Sequence, residues 1–166
     1  MNWQWLAANT DRIVDLSLAH LKIAVPAIVL AFVIAVPLGW AAHRTPRLRE
    51  LIVVASGMVF VVPSLAMFIL MPLVLSTSIL SPLNVVAAMT LYGVALMVRA
   101  AADAFDTVPS SVQQSAIAAG YAPARRVFAV DLPLAGPGLL AGLRVVAAST
   151  ISLVSVGALI GVCLLY

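Results

Sequence analysis

Charge is what this chain has least of. Asp, Glu, Lys and Arg make up 9% of its residues, against about a quarter in soluble domains, and residues 51–98 contain none. A mean hydropathy of +1.16 and a 64% hydrophobic composition exceed what one soluble core of 166 residues can hide; a bilayer accepts such stretches. Cys163 is the single cysteine, so no internal disulfide can form and the redox compartment stays open. One cysteine and two scattered histidines make no metal set, and no cofactor is expected. No G-x-x-x-x-G-K-[ST] phosphate loop occurs, so the chain is not itself an ATPase. H-E-x-x-H and G-x-S-x-G are missing too, which counts against a membrane-embedded enzyme. The net charge of +3 comes without a Lys/Arg-rich run or an aromatic-interleaved basic face, which counts against nucleic-acid binding.

What is there is a series of apolar runs, read as an all-α polytopic membrane bundle in a single domain, 1–166. Residues 1–18 lack the basic start of a secretory signal, and Trp3 and Trp5 suit a segment lying at the headgroup level. Four spans are expected, at about 18–42, 51–75, 80–99 and 138–164, each long enough to cross. Pro26 and Pro37 should kink the first without breaking it. Residues 76–84 supply turn chemistry between the second and third, and Gly136-Pro137-Gly138 marks a break before the fourth. No Asp or Glu falls within the spans, so a carboxylate proton relay has nothing to use. His20 and Lys22 are expected to snorkel at one end of the first span and Arg144 at the near end of the fourth. Trp40 reads as an interfacial anchor. Gly138/Gly142 and Gly157/Gly161 each form G-x-x-x-G and permit close helix approach, within one subunit or across a dimer.

Orientation follows from the arginines. Arg44, Arg47, Arg49, Arg99, Arg125, Arg126 and Arg144 fall on one side of this topology, with Arg12 and Lys22 on the other. The positive-inside rule puts the former in the cytoplasm and the amino terminus outside, in a cell (plasma or inner) membrane.

The stretch 106–133 is too short and too polar to cross. Asp106 or Thr107 can cap a helix that Pro109 starts. Val112, Ala116 and Ala119 share its face at helical spacing. Gly120 can stop it in the left-handed conformation. Pro123 can open a second short helix, and Pro133 is expected to end it. The outcome is a helix–Gly–helix elbow with a small-residue face.

This elbow resembles the cytoplasmic motif of permease subunits in ATP-binding-cassette importers: E-A-A, three residues, G, nine residues, I-x-L-P. Gln114-Ser115-Ala116 occupies the first three positions, Gly120 follows after three residues, and Val130-Asp131-Leu132-Pro133 follows after nine more. Ala116, Gly120, Leu132 and Pro133 match; Gln114 and Ser115 stand where the family has Glu and Ala, and Val130 replaces Ile. Residues 20–40, the "VPSLAMF" of residues 62–68 and the flanks of the elbow are similar to osmoprotectant permeases, those for glycine betaine, choline and related quaternary amines. Methionine importers share much of this layout and stay open as an alternative. So does a polytopic structural protein whose elbow binds nothing.

The resemblance implies a type I importer of two permease subunits (homo- or heterodimeric), two cytoplasmic ATP-binding subunits and an external substrate-binding protein. Gln114, Ser115, Ala116, Gly120, Val130, Leu132 and Pro133 would then form the element that docks on the ATPase. It also implies a further glycine-rich segment and helix after residues 150–161, where "VCLLY" stands instead. The expectation is a chain one span short of such a permease, or a short form completed by a partner.

Overall fold

The computed structural model describes residues 9–78 and 81–157. Its first element, α1 (Thr10–Arg44), is a single helix of 35 residues. At 1.5 Å per residue that is about 52 Å, well beyond the roughly 30 Å of bilayer hydrocarbon. Residues 10–18, expected to lie along the membrane surface, instead continue into the first span, since no Gly or Pro interrupts the chain before Pro26. Pro26 and Pro37 stay inside the helix. Trp3 and Trp5 lie outside the described residues.

The expected second span is two helices. α2 (Pro46–Val61) and α3 (Ser64–Leu75) meet at a 104° bend. Pro63 lacks an N–H and disfavours helical geometry in the residue before it, and Val62 accordingly sits at φ −67, ψ 125. The Tyr92 hydroxyl donates a hydrogen bond to the Val62 carbonyl, so a group that the break frees finds a partner in the helix behind it.

α4 (Pro82–Asp106) is the spine of the molecule and packs against α1, α2 and α3 as well as the last helix. Ser81 caps its start by accepting from the Leu83 N–H, with Pro82 at the first position. Buried Asn84 holds the preceding loop: Thr77 Oγ1 donates to Asn84 Oδ1 at 2.5 Å and Asn84 Nδ2 donates to the Ser78 carbonyl at 2.8 Å.

Two short helices follow, α5 (Ser110–Ala118) and α6 (Pro123–Arg126), then a π-helical turn (Val127–Asp131) and α7 (Leu132–Gly157). The structure corrects two expected stops here. Pro133 does not end a helix; it occupies the second position of α7, just after the wider i→i+5 turn, a geometry that takes up a proline's bulk. Gly136-Pro137-Gly138 does not break the chain either, and Pro137 lies within α7. The described residues thus hold three unbroken helical runs long and apolar enough to cross a membrane, plus the bent α2–α3 pair as a fourth.

Small residues set the packing. α1 buries Ala24, Ala27, Ala31, Ala35, Gly39 and Ala42 on one stripe. A Cβ placed on Gly39 would meet Ala101 Cβ at 2.5 Å, and one on Gly93 would meet Ala31 Cβ at 2.6 Å. The ascending pairs 31/93 and 39/101 make α1 and α4 parallel. On α7, a Cβ on Gly138 would lie 2.8 Å from Ala104 Cβ and one on Gly142 2.7 Å from Ala100 Cβ, so α7 runs antiparallel to α4. Helices this close gain van der Waals contact that lipid tails cannot supply. His20 is buried against the far end of α7, with Nε2 3.1 Å from the Ile151 carbonyl oxygen. This overturns the expectation that it snorkels.

Candidate coupling elbow

The helix directions gather the C-terminal ends of α1 and α4, the start of α2 and the start of α7 at one end of the bundle. Of the seven arginines expected on the cytoplasmic side, Arg44, Arg47, Arg49, Arg125 and Arg126 lie at or next to these ends, while Arg99 is seven residues before the end of α4 and Arg144 lies within α7. A cluster of ions ties α1, α2 and α4 together there. Arg49 near the start of α2 reaches Asp103 (Nη2–Oδ1 2.6 Å) and pairs with Asp106 through its other terminal nitrogen. His43 Nδ1 lies 2.5 Å from Asp106 Oδ1, and the Arg44 guanidinium covers the Trp40 ring at 4.4 Å. Asp106 therefore braces the bundle, where capping α5 had been expected. Thr107 likewise closes α4 by donating to the Ala104 carbonyl at 2.7 Å.

Pro109 takes the cap position of α5, in extended geometry at φ −61, ψ 132 and with no side-chain cap bond. The other end is a complete glycine stop. The Gly120 N–H bonds to the Ile117 carbonyl at 2.9 Å and the Tyr121 N–H to the Ala116 carbonyl at 3.1 Å. Gly120 sits at φ +77 with no atom within 4 Å of where a Cβ would be. These two bonds define the Schellman arrangement, which satisfies the last carbonyls of the helix and reverses the chain. α5 then folds against the π-helical turn, bringing the two arms of the elbow together.

The seven motif residues do not converge on one point. Gln114, Ser115, Gly120 and Pro133 are exposed, Ala116 is buried, and Val130 and Leu132 are half-buried. Leu132 faces inward, lining an apolar groove of about 430 Å³ with Val36, Trp40, Phe105 and Phe128; Trp40 is part of this wall rather than an interfacial anchor alone. Gly138 and Gly142 face α4 of the same chain. Gly157 closes α7, while Gly161 and Cys163 lie outside the described residues.

Sequence reasoning passed over a buried charged pair in the second arm. Asp131, at the free position of the motif's last four residues, is 4% exposed, and its Oδ2 lies 4.0 Å from Arg126 Nε. A buried carboxylate needs a partner of opposite charge, and Asp131 is the only acidic residue between Gln114 and Pro133; its spacing of five from Arg126 was the available signal. On the outer surface Arg125 stacks on Tyr121 at 5.2 Å, and Ile117 is 57% exposed. The elbow thus presents apolar side chains at a water-facing end of the bundle.

Residues 27–163 match the family described as binding-protein-dependent transport system inner membrane component. The chain belongs to that family. Its members are the membrane permeases of ATP-binding-cassette importers, with the type I fold. Among individual proteins, the chain is 29% identical over 159 residues to the osmoprotectant import permease protein OsmW of Salmonella typhimurium, covering 95% of this chain and 74% of that protein. It is 31% identical over 132 residues to the ergothioneine transport permease/ergothioneine binding protein EgtU of Helicobacter pylori (80% of this chain, 23% of that one). It is 27% identical over 141 residues to the choline transport system permease protein OpuBB of Bacillus subtilis (85% and 64%).

Proposed function

We propose that this chain is the permease subunit of an ATP-driven importer for osmoprotectant quaternary amines of the glycine betaine and choline type, coupled to a separate ATPase through the elbow 106–133. The observation that carries the coupling role is the Schellman stop at Gly120. It projects α5 from the bundle on a fixed reverse turn, with open space around the glycine and exposed Val112, Ile117 and Tyr121 around it. A short helix with few bulky side chains, ended by a residue without one, can enter a groove on a partner.

The elbow is rigidly joined to what it would move. Val108 is buried in the same core cluster as Phe105 and Ala104, and α6 passes through the π-helical turn into α7 without a break. Closure of two ATPase subunits would draw two elbows together and tilt α4 and α7 as rigid bodies, switching access from one side of the membrane to the other. The partners of this reading are two ATP-binding subunits, a second permease subunit and an external substrate-binding protein. The arginine-rich end is cytoplasmic and the amino terminus outside. The solute class is supported by the solutes for which OsmW and OpuBB are named.

The test is uptake by the complex of this permease with its ATPase and binding protein in liposomes. ATP-dependent accumulation of glycine betaine or choline is expected; accumulation of methionine alone would refute the solute class.

A further inference from the structure

The bend between α2 and α3 leaves Val62 and Pro63 out of helical geometry, with Val61 82% exposed beside them. Irregular backbone at membrane depth is tolerated only where protein covers it or water reaches it, never against lipid. Among the described residues none packs over this outer side. The freed Val62 carbonyl is covered by Tyr92, but Arg99 is an exposed charge on the same face. A charge at membrane depth faces water or protein, so the α2 face beside the bend belongs to an aqueous path or to a partner subunit.

A cavity of about 320 Å³ opens there, lined by Ser56, Gly57, Phe60 and Val61 of α2 and by Ala95 and Arg99 of α4. Its chemistry is two-sided. Arg99 is the single charge on the wall, and no ion pair among the described residues engages it, whereas Arg49 and Arg126 at the same end are both engaged. Phe60 is 48% exposed and its ring is held edge-on by Tyr92, centroids 5.8 Å apart at 84°. Open space surrounds Gly57, where an added Cβ would meet nothing within 4 Å. With no carboxylate on the wall, the cavity repels a simple cation. A solute that carries both a methylated ammonium and a carboxylate fits: its carboxylate takes a charge-assisted bond from the guanidinium, and its ammonium lies on the aromatic face.

We propose that this cavity is a transit subsite for carboxylated quaternary amines, zwitterions of the glycine betaine kind, and that Arg99 makes the permease favour them over choline, which bears a hydroxyl instead of the carboxylate. The inference rests on the osmoprotectant reading above. An arginine serving only as a headgroup anchor would affect both solutes alike.

The experiment compares labelled glycine betaine and labelled choline uptake in liposomes holding the complete complex. Arg99→Gln is expected to lower betaine uptake at least tenfold while choline uptake stays within twofold or rises, and Arg99→Lys is expected to restore most of the betaine uptake. Gly57→Asp, which puts a carboxylate into the open space, gives a second route to the same drop in the betaine-to-choline ratio and keeps the test decisive if Arg99→Gln fails to assemble. An unchanged ratio in the variants that assemble overturns the subsite and leaves the osmoprotectant reading standing, as does a parent complex that moves choline alone. A parent that moves neither solute overturns both.

Discussion

The two halves of the bundle are built on opposite packing rules. Between α1, α4 and α7, backbones approach so closely that Gly39, Gly93, Gly138 and Gly142 have no room for a methyl group. The α2–α3 pair is held differently. α2 buries one residue, Ser56; α3 buries Met67, Phe68 and Pro72; and the joint between them rests on the Tyr92 hydroxyl. One half is a fitted scaffold, and the other is attached through a few points. A permease that alternates access needs both: a body that moves as a unit, and a segment whose contacts can be exchanged at modest cost.

Substitutions at matched positions sharpen the contrast. Gly39→Leu should be the most damaging, because its Cβ alone would press on Ala101 Cβ at 2.5 Å and on the Ala102 backbone nitrogen at 2.9 Å. Overpacking a fitted site costs about 1–3 kcal/mol and sometimes more, so the variant should lose its monodisperse peak in detergent size-exclusion. A normal elution profile and melting midpoint would show that the helices do not meet as described. Tyr92→Phe comes next. It leaves the Val62 carbonyl without its donor at the bend, a loss of about 1–3 kcal/mol for a desolvated group, and should lower the midpoint and increase proteolysis near residue 62 in particular.

Asp106→Asn should have a smaller effect. It weakens the bonds to Arg49 and His43, but these side chains are partly exposed, at 37% and 24%, and such pairs contribute about 0–1 kcal/mol. The difference from the parent should shrink in high salt, as screening predicts. Gly57→Ala is expected to change stability least. With open space around it, the gain in helix preference of about 0.5–1 kcal/mol should raise the midpoint slightly; a drop would mean that α2 is packed on a side where the structure shows nothing.

The same contrast explains what could be read in advance. Uncharged runs, basic connectors and the left-handed glycine at 120 are local features, and the helices and the turn of the elbow followed from them; the bounds did not, since α4 runs on to Asp106, past the expected end at 99, and α7 starts at Leu132, ahead of the expected 138. Prolines were ambiguous. Pro26, Pro37, Pro72 and Pro137 lie within helices while Pro63 separates two. Each removes the same donor, and whether the chain bends depends on what satisfies the freed carbonyls. At residue 62 that is a tyrosine thirty positions away, which no local pattern reveals. His20 misled for a related reason: its partner, Ile151, becomes visible only once α7 is laid against α1, whereas Asp131 was passed over although Arg126 stands five positions before it. Of the motif itself, spacing located the turn, but it did not tell exposed Gln114 from buried Ala116.

Coupling through the elbow is tested most directly by solute-stimulated ATP hydrolysis in the reconstituted complex, comparing Gly120→Arg with Gly120→Asn. Asparagine tolerates the left-handed conformation with little added bulk, whereas arginine fills the open space around the turn. The expected result is near-parent membrane abundance for both variants, hydrolysis largely retained in Gly120→Asn, and stimulation abolished in Gly120→Arg. Parent-rate stimulation and transport in Gly120→Arg would show that the elbow is not the element through which the ATPase acts.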